Sequence, residues 1–351
     1  MPGKRDILIV GGGIIGLSIA LELQLQGASV TVLCRDFNEA ATQAAAGMLA
    51  PSAEMIAPSP MLTLCKESRS RYSDWIAKLE AIAGMNAGYW ECGILAPAYT
   101  PSKHAGWINA SEVHTLQPGL SEEVIGGYWF PEDAQVDNRA LAKVLWIAAE
   151  IAGVNLQTGV TVQQIEHDRS MITGLETNQG RWQAEHYVLA TGAWSESLIG
   201  ILVFPRKGQM LSLQSPRDAE LPLTRVLYGD EIYIVPRQDG RIVIGATSET
   251  VGFLAGNTAI GVQSLLSAAI RLFPQLQNFP IQEFWYGFRP ATPDELPILG
   301  SSPFSNLTLA TGHYRNGILL APATGKRIAD WVLSQKSDAL LEAFHWSRFK
   351  P

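Results

Sequence analysis

The run Ile7-Leu8-Ile9-Val10-Gly11-Gly12-Gly13-Ile14-Ile15-Gly16-Leu17-Ser18 decides the fold of this chain. Its first four residues read as a buried parallel strand, and the glycine-rich turn after them opens a helix over Leu17 to Gln26. Gly27 stops the helix, and Ser29 to Leu33 reads as a second, β-branched strand, which completes a βαβ unit. The glycines have separate duties in such a unit. Gly11 permits the tight turn, Gly13 lets backbone N–H groups approach a pyrophosphate, and Gly16 lets the helix lie close to the strand. The helix N-terminus adds partial positive charge. The unit therefore reads as a dinucleotide site.

At 351 residues the chain has the length of about two domains. Its 47% hydrophobic and 17% charged residues describe a folded protein rather than a disordered one. A formal charge of −7 with no Lys/Arg stripe excludes nucleic acid as a partner. Cys34, Cys65 and Cys92 follow no disulfide or zinc spacing, which predicts a reducing compartment and no metal. Lys4 and Arg5 ahead of the uncharged Ile7 to Leu21 imitate a leader or a membrane span. Four glycines interrupt that stretch and Glu22 ends it, so a cytoplasmic protein without stable membrane insertion is expected.

Further along, Arg139 to Ala152 reads as a helix capped by Asp137 or Asn138, followed by a small antiparallel meander over Val160 to Ala184. Tyr187 to Ala190 is a buried strand that ends in Thr191-Gly192-Ala193-Trp194, a second close backbone approach to a nucleotide. From Phe204 to about Phe288 the pattern changes to short alternating strands, Gln209 to Leu213, Glu231 to Pro236, Arg241 to Ala246 and Gln282 to Gly287, with one helix at Ala259 to Phe273. Leu307 to Leu309, the turn Thr311 to Gly317 and the helix Ile318 to Leu333 return to strand, glycine turn and helix. Ala50 to Pro60 reads as a loop over the nucleotide. The expected fold is α/β, a Rossmann-type nucleotide domain (residues 1–86, 137–203 and 290–351) interleaved with a mostly antiparallel α+β substrate domain (87–136 and 204–289).

Several motifs together carry a resemblance. They are Val10 to Leu17, Ala44-Ala45-Ala46-Gly47-Met48-Leu49-Ala50-Pro51, Ala190 to Trp194, and Tyr233-Ile234-Val235-Pro236-Arg237 with Gly240 to Thr247. Gly287-Phe288-Arg289-Pro290-Ala291-Thr292-Pro293-Asp294 and Thr311 to Gly325 complete the set. Over nearly its whole length the chain resembles the FAD-dependent D-amino-acid oxidase and sarcosine oxidase family, and within it the glycine oxidases. The first motif is common to many nucleotide binders; the later ones are specific. The resemblance implies FAD at a site made by Gly11, Gly13, Ile14, Ile15 and Gly16 at the pyrophosphate. It places Thr42, Ala45, Ala46, Gly47 and Met48 along the ribityl chain and ring, and Val162 at the adenine. Thr191, Gly192, Trp194, Arg289, His313, Arg315, Asn316, Gly317, Ile318 and Leu319 complete the cofactor set. One departure stands out: Cys34 occupies the place of the usual acidic ribose ligand, so that either Arg35 or the adjacent Asp36 takes its part or FAD is held less tightly there. No cysteine follows Cys92, so the flavin is expected to be noncovalent.

The chemistry implied is oxidation of a small amino acid at its α-carbon, with molecular oxygen as second substrate, hydrogen peroxide as product and a link to thiamine biosynthesis. A guanidinium fork matches both oxygens of a carboxylate, and the resemblance implies Arg289 as that clamp with the Tyr233 hydroxyl as second contact. Arg315 would act at the flavin edge and on the amine side of the pocket. Met48 lines the pocket, and Ser248 stands where glycine oxidases often carry methionine, which makes the pocket roomier or more polar. His313 reads as structural rather than as a base, and Lys207 as a solvated lysine rather than a cation that directs oxygen. A homotetramer is implied by the resemblance. The rival readings are a D-amino-acid dehydrogenase that reduces quinone and a flavin-binding subunit without turnover.

Overall fold

Strand Asp6–Val10 sits between His186–Leu189 and Ser29–Cys34, with parallel partners on both sides. This computed structural model describes residues 6–216, 221–336 and 338–349; Lys4 and Arg5 lie outside the described residues. The full sheet runs Ile298–Ser301, Leu307–Thr311, His186–Leu189, Asp6–Val10, Ser29–Cys34, Asn155–Thr158. Its pairs are parallel except the outermost, Ile298–Ser301 with Leu307–Thr311. An unbroken apolar run fits this place because both faces are covered. Ile7 and Ile9 enter a core built with helices Ile14–Leu25, Pro60–Ala83, Asn138–Ile151 and Gly317–Ser334. Leu8 and Val10 enter another, roofed by the meander Val162–Asp168, Met171–Thr177 and Gly180–Trp182. Among the described residues, no helix is long and apolar enough to cross a membrane.

The second sheet has eight strands in the order Ile281–Ala291, Phe204–Gln214, Arg241–Gly245, Tyr233–Pro236, Val226–Tyr228, Ile94–Ala98, Gly126–Phe130, Trp107–Asn109. Only the Val226–Tyr228 pairing with Ile94–Ala98 is parallel. Alternation divides its side chains. Leu211, Leu213, Ile234, Ile242 and Ile244 pack under helix Ala259–Leu272, whereas Met210, Val235 and Val243 turn towards Ala46, Ala50 and Ala53. A small sheet of Met48–Leu49, Ala134–Val136 and Tyr89–Trp90 lies beside that second face.

Two elements are longer than the sequence suggests. Gln209 to Leu213 extends to Phe204–Gln214, and Gln282 to Gly287 extends to Ile281–Ala291, each eleven residues. The added stretches contain Pro205 and Pro290, which fall at the start of one strand and near the end of an edge strand, where a missing N–H costs no ladder bond. Pro60–Ala83 is a helix of 24 residues that hydrophobic alternation did not reveal. Its punctuation is nonetheless legible: Ser59 accepts from Leu62 N at 3.3 Å, Pro60 opens the first turn, and Gly84 closes the helix at φ 66°.

Candidate active site

A cavity of about 470 Å³ lies at the carboxyl ends of the parallel strands, where Val10, Leu33, Ala190 and Ala310 line it. Such a crevice is the usual ligand site of a parallel sheet. Two helices begin at it. Ile14–Leu25 and Gly317–Ser334 have no acidic residue in their first turns, and Ile14, Ile15, Gly317 and Ile318 line the wall. Gly11 has φ 118°, and a Cβ there would sit 2.3 Å from the Ala190 carbonyl oxygen. At Gly13 a Cβ would meet nothing closer than 3.7 Å, so no side chain at that position covers the helix start, although its first N–H, that of Ile14, is already given to Thr42 Oγ1. Gly16 does not line the cavity: its Cβ would fall 1.9 Å from Gly11 O, which makes it a packing glycine.

At one end of the cavity stand Val160, Thr161, Val162, Arg35, Asp36 and Glu39. Cys34 is buried behind Gly12, and burial pushes its thiol up. Asp36 caps a short turn by accepting from Asn38 N at 2.8 Å. Arg35 donates through Nε to Glu39 at 2.8 Å and lies 4.4 Å from the Trp194 ring centroid. Glu39 is a cavity carboxylate the sequence reading missed; its one signal is an acidic residue shortly after the second strand.

Thr42 to Met48 run along the middle. Ile14 N donates to Thr42 Oγ1 at 3.0 Å, and Asn138 Nδ2 donates to Thr42 O at 2.8 Å. Arg237, also missed as a site residue, is buried behind this segment and donates to Ala46 O at 2.7 Å. Burial pulls its guanidinium down to about 10, against the opposing charge of Asp137. Gly47 has φ 78°, with Val136 O 2.0 Å from where a Cβ would be.

At the far end the second sheet contributes Arg289, Tyr233, Met210 and Tyr228. The Arg289 guanidinium fills the space a Gly208 side chain would need, 2.2 Å from its Cβ position, and donates to Thr247 O at 3.1 Å. Tyr233 opposes Gly245, and its hydroxyl meets the Met210 sulfur at 3.3 Å. Burial raises the Tyr233 hydroxyl, and the adjoining Arg289 guanidinium, through its charge and a hydrogen bond, pulls it back. Met48, Thr247, Ser248 and Arg315 line this end as well.

Glu54 shares that wall, within the loop Ala50 to Pro60. The buried carboxylate of Asp133 accepts from Ala53 N at 2.8 Å and from Ser52 N at 3.2 Å, which fixes the loop. Burial pushes the Glu54 carboxyl up to about 6, with the Asn316 side chain and the Arg315 charge acting against it. Asn316 and Leu319 are not among the wall residues; Asn316 turns its side chain to Glu54.

His313 is buried, 3.3 Å from Thr324 Oγ1 through Nε2, and burial alone depresses it to about 3, so it is neutral. Lys207 is not solvated. It is fully buried, its Nζ 3.8 Å from Glu249 Oε2 and 5.6 Å from the Tyr286 ring. Its place in the penultimate strand, paired with Phe288, overrides the preference of a lysine for water. It is absent from the cavity wall.

The family model for FAD dependent oxidoreductases matches residues 6–331. The chain belongs to that family. It is 59% identical over 360 residues to the bifunctional protein ThiO/ThiG of Trichormus variabilis, covering 99% of this chain but 55% of that protein, so the chain spans about half the length of that relative. It is 33% identical over 367 residues to glycine oxidase of Bacillus licheniformis, covering 99% of this chain and 98% of that one. The crystal structure of glycine oxidase from Geobacillus kaustophilus superposes with a TM-score of 0.91 at 32% identity, covering 99% and 100% of the two chains.

The residues present fit FAD. A dinucleotide needs donors for a pyrophosphate with no side chain in the way, and the open Gly13 beside a helix N-terminus lacking acidic residues provides them. Glu39 and Asp36 offer carboxylate acceptors just after strand Ser29–Cys34, and the Gly317–Ser334 N-terminus offers partial positive charge elsewhere on the same wall. Among the described residues, no group of three or more His, Cys, Asp or Glu side chains is placed to hold a metal ion.

Proposed function

We propose that this FAD-dependent oxidoreductase is an oxidase of small amino acids, acting on glycine and on sarcosine or small D-amino acids, in the cytoplasm. The carrying observation is the adjoining Arg289 and Tyr233 on the wall of the same cavity as the glycine cradle. FAD, when bound, supplies the hydride acceptor between amino acid and oxygen. Glycine loses two electrons and two protons to give the imine, oxygen gains them as hydrogen peroxide, and water converts the imine to glyoxylate and ammonia. The chain's own residues do the positioning. Arg289 grips the substrate carboxylate with its fork, and the Tyr233 hydroxyl, turned from the Met210 sulfur, donates a hydrogen bond to the same group. Met48 and Met210 wall the pocket, with Ser248 at its rim. The helix start at Gly317 and Ile318, with Arg315 before it, favours negative charge at that part of the wall.

Residues 1–86, 137–203 and 290–351 hold the cofactor in this reading, and 87–136 and 204–289 build most of the substrate pocket. The bifunctional ThiO/ThiG relatives support a place in thiamine biosynthesis, where the imine feeds thiazole formation. The assembly is a homotetramer. The test is peroxide release by the purified, flavin-loaded protein with glycine, sarcosine, D-alanine and D-proline. Oxygen consumption distinguishes it from a dehydrogenase, which would reduce a dye instead. Failure of every amino acid to bleach the yellow flavin without oxygen would overturn the proposal.

A further inference from the structure

An amino acid carries two charges, and Arg289 with Tyr233 answers only one. Its ammonium has three donors and no acceptor, and moving it from water into a half-closed cavity demands an anionic partner. Among the described residues on the cavity wall, the carboxylates are Asp36, Glu39 and Glu54. Asp36 caps the turn that follows the second strand, and Glu39 is paired with Arg35. Only Glu54 stands at the pocket end: its neighbours Ala50 and Ala53 pack in one apolar cluster with Met210, against which Met48, Tyr228 and Tyr233 lie, and Glu54 lines the wall with them. We infer that Glu54 recognises the ammonium group of the substrate, an assignment that rests on the amino-acid oxidase reading.

The surroundings suit that task. Asp133 holds the loop through Ser52 N and Ala53 N, so the carboxylate is carried on a fixed backbone. The ionisable groups that face it are Arg315 ahead of helix Gly317–Ser334, Tyr228 and Tyr233 from the large sheet, Asp133 beside strand Ala134–Val136, and Cys65 on helix Pro60–Ala83. Arg315 is the only cation among them, so Glu54 stays ionised at neutral pH while keeping capacity for a second cation. Protonation near pH 6 would remove the attraction.

The experiment compares glycine with acetate, which keeps the carboxylate and lacks the ammonium. In the flavin-loaded Glu54→Gln variant, KM for glycine should rise about tenfold or more, the scale of a lost charge-assisted hydrogen bond. Acetate affinity, read from the visible flavin spectrum, should change less than about twofold, and the wild-type fall in kcat/KM for glycine below about pH 6 should vanish. If that variant does not retain flavin, Glu54→Asp provides the same comparison and should raise the glycine KM by a smaller factor with acetate unmoved. Equal weakening of glycine and acetate, or an unchanged glycine KM, would overturn the assignment. A wild-type holoenzyme that binds acetate yet oxidises no amino acid would overturn the oxidase reading, and this assignment with it.

Discussion

Replacing Arg289 with alanine tests the centre of the proposed chemistry. The guanidinium is placed by two features independent of any ligand, the missing side chain at Gly208 and the bond to Thr247 O at 3.1 Å. Alanine removes a fork able to make two charge-assisted hydrogen bonds to a carboxylate, each about 1.5–3 kcal/mol. A combined loss of about 3–6 kcal/mol corresponds to a fall of roughly 150- to 25,000-fold in kcat/KM. Lysine in its place keeps the charge without the fork and should recover part of that loss. The flavin should remain, because Gly11, Gly13 and the start of helix Gly317–Ser334 are contributed by other segments. The assay is initial-rate peroxide release over a range of glycine concentrations, with the visible spectrum reporting occupancy. Wild-type kinetics in Arg289→Ala with full flavin content would refute the clamp. Loss of flavin in step with activity would instead make Arg289 a cofactor residue.

Gly11→Ala must fit a Cβ 2.3 Å from a backbone oxygen at φ 118°. It should cost about 2–3 kcal/mol and release FAD, read by thermal melting and flavin fluorescence. Glu249→Gln strands the buried Lys207 ammonium and should lower stability by about 3 kcal/mol in urea titration, with Lys207→Met added to it restoring most of the loss. A solvated lysine would give less than about 0.5 kcal/mol. His313, depressed to about 3 from 6.5, binds its proton more readily in the unfolded chain. Its contribution is complete above pH 6.5 and is lost as pH falls towards 3, on the order of 5 kcal/mol across that window. A denaturation series at falling pH should therefore flatten over that range in His313→Gln.

The local rules that made the first βαβ unit readable are strong ones. A four-residue apolar run can be buried on both faces, and a glycine at φ 118° can hardly be another residue. Arg289 and Tyr233 were accessible only through motif resemblance, since an arginine before a proline has no periodic signature. Lys207 went wrong because residue type outweighed position: nothing local says that its strand is covered on both sides. Glu54 was hidden for the opposite reason. It lies in a loop without pattern, and its significance appears only when Arg315 and Tyr228 arrive from distant segments. The ends of Phe204–Gln214 and Ile281–Ala291 were hidden because proline at a strand margin and proline in a loop look alike in sequence.

The pairing of Asp6–Val10 with His186–Leu189 joins partners about 180 residues apart. On a ribosome adding about 5–20 residues per second, the first strand would wait roughly 10–35 s for that neighbour and longer for Leu307–Thr311. During this interval Ile7, Leu8, Ile9 and Val10 emerge with the apolar edge towards His186–Leu189 unpaired, a template for association with other nascent chains. Productive synthesis should therefore depend on a chaperone that shields Ile7 to Val10 until His186–Leu189 has been made.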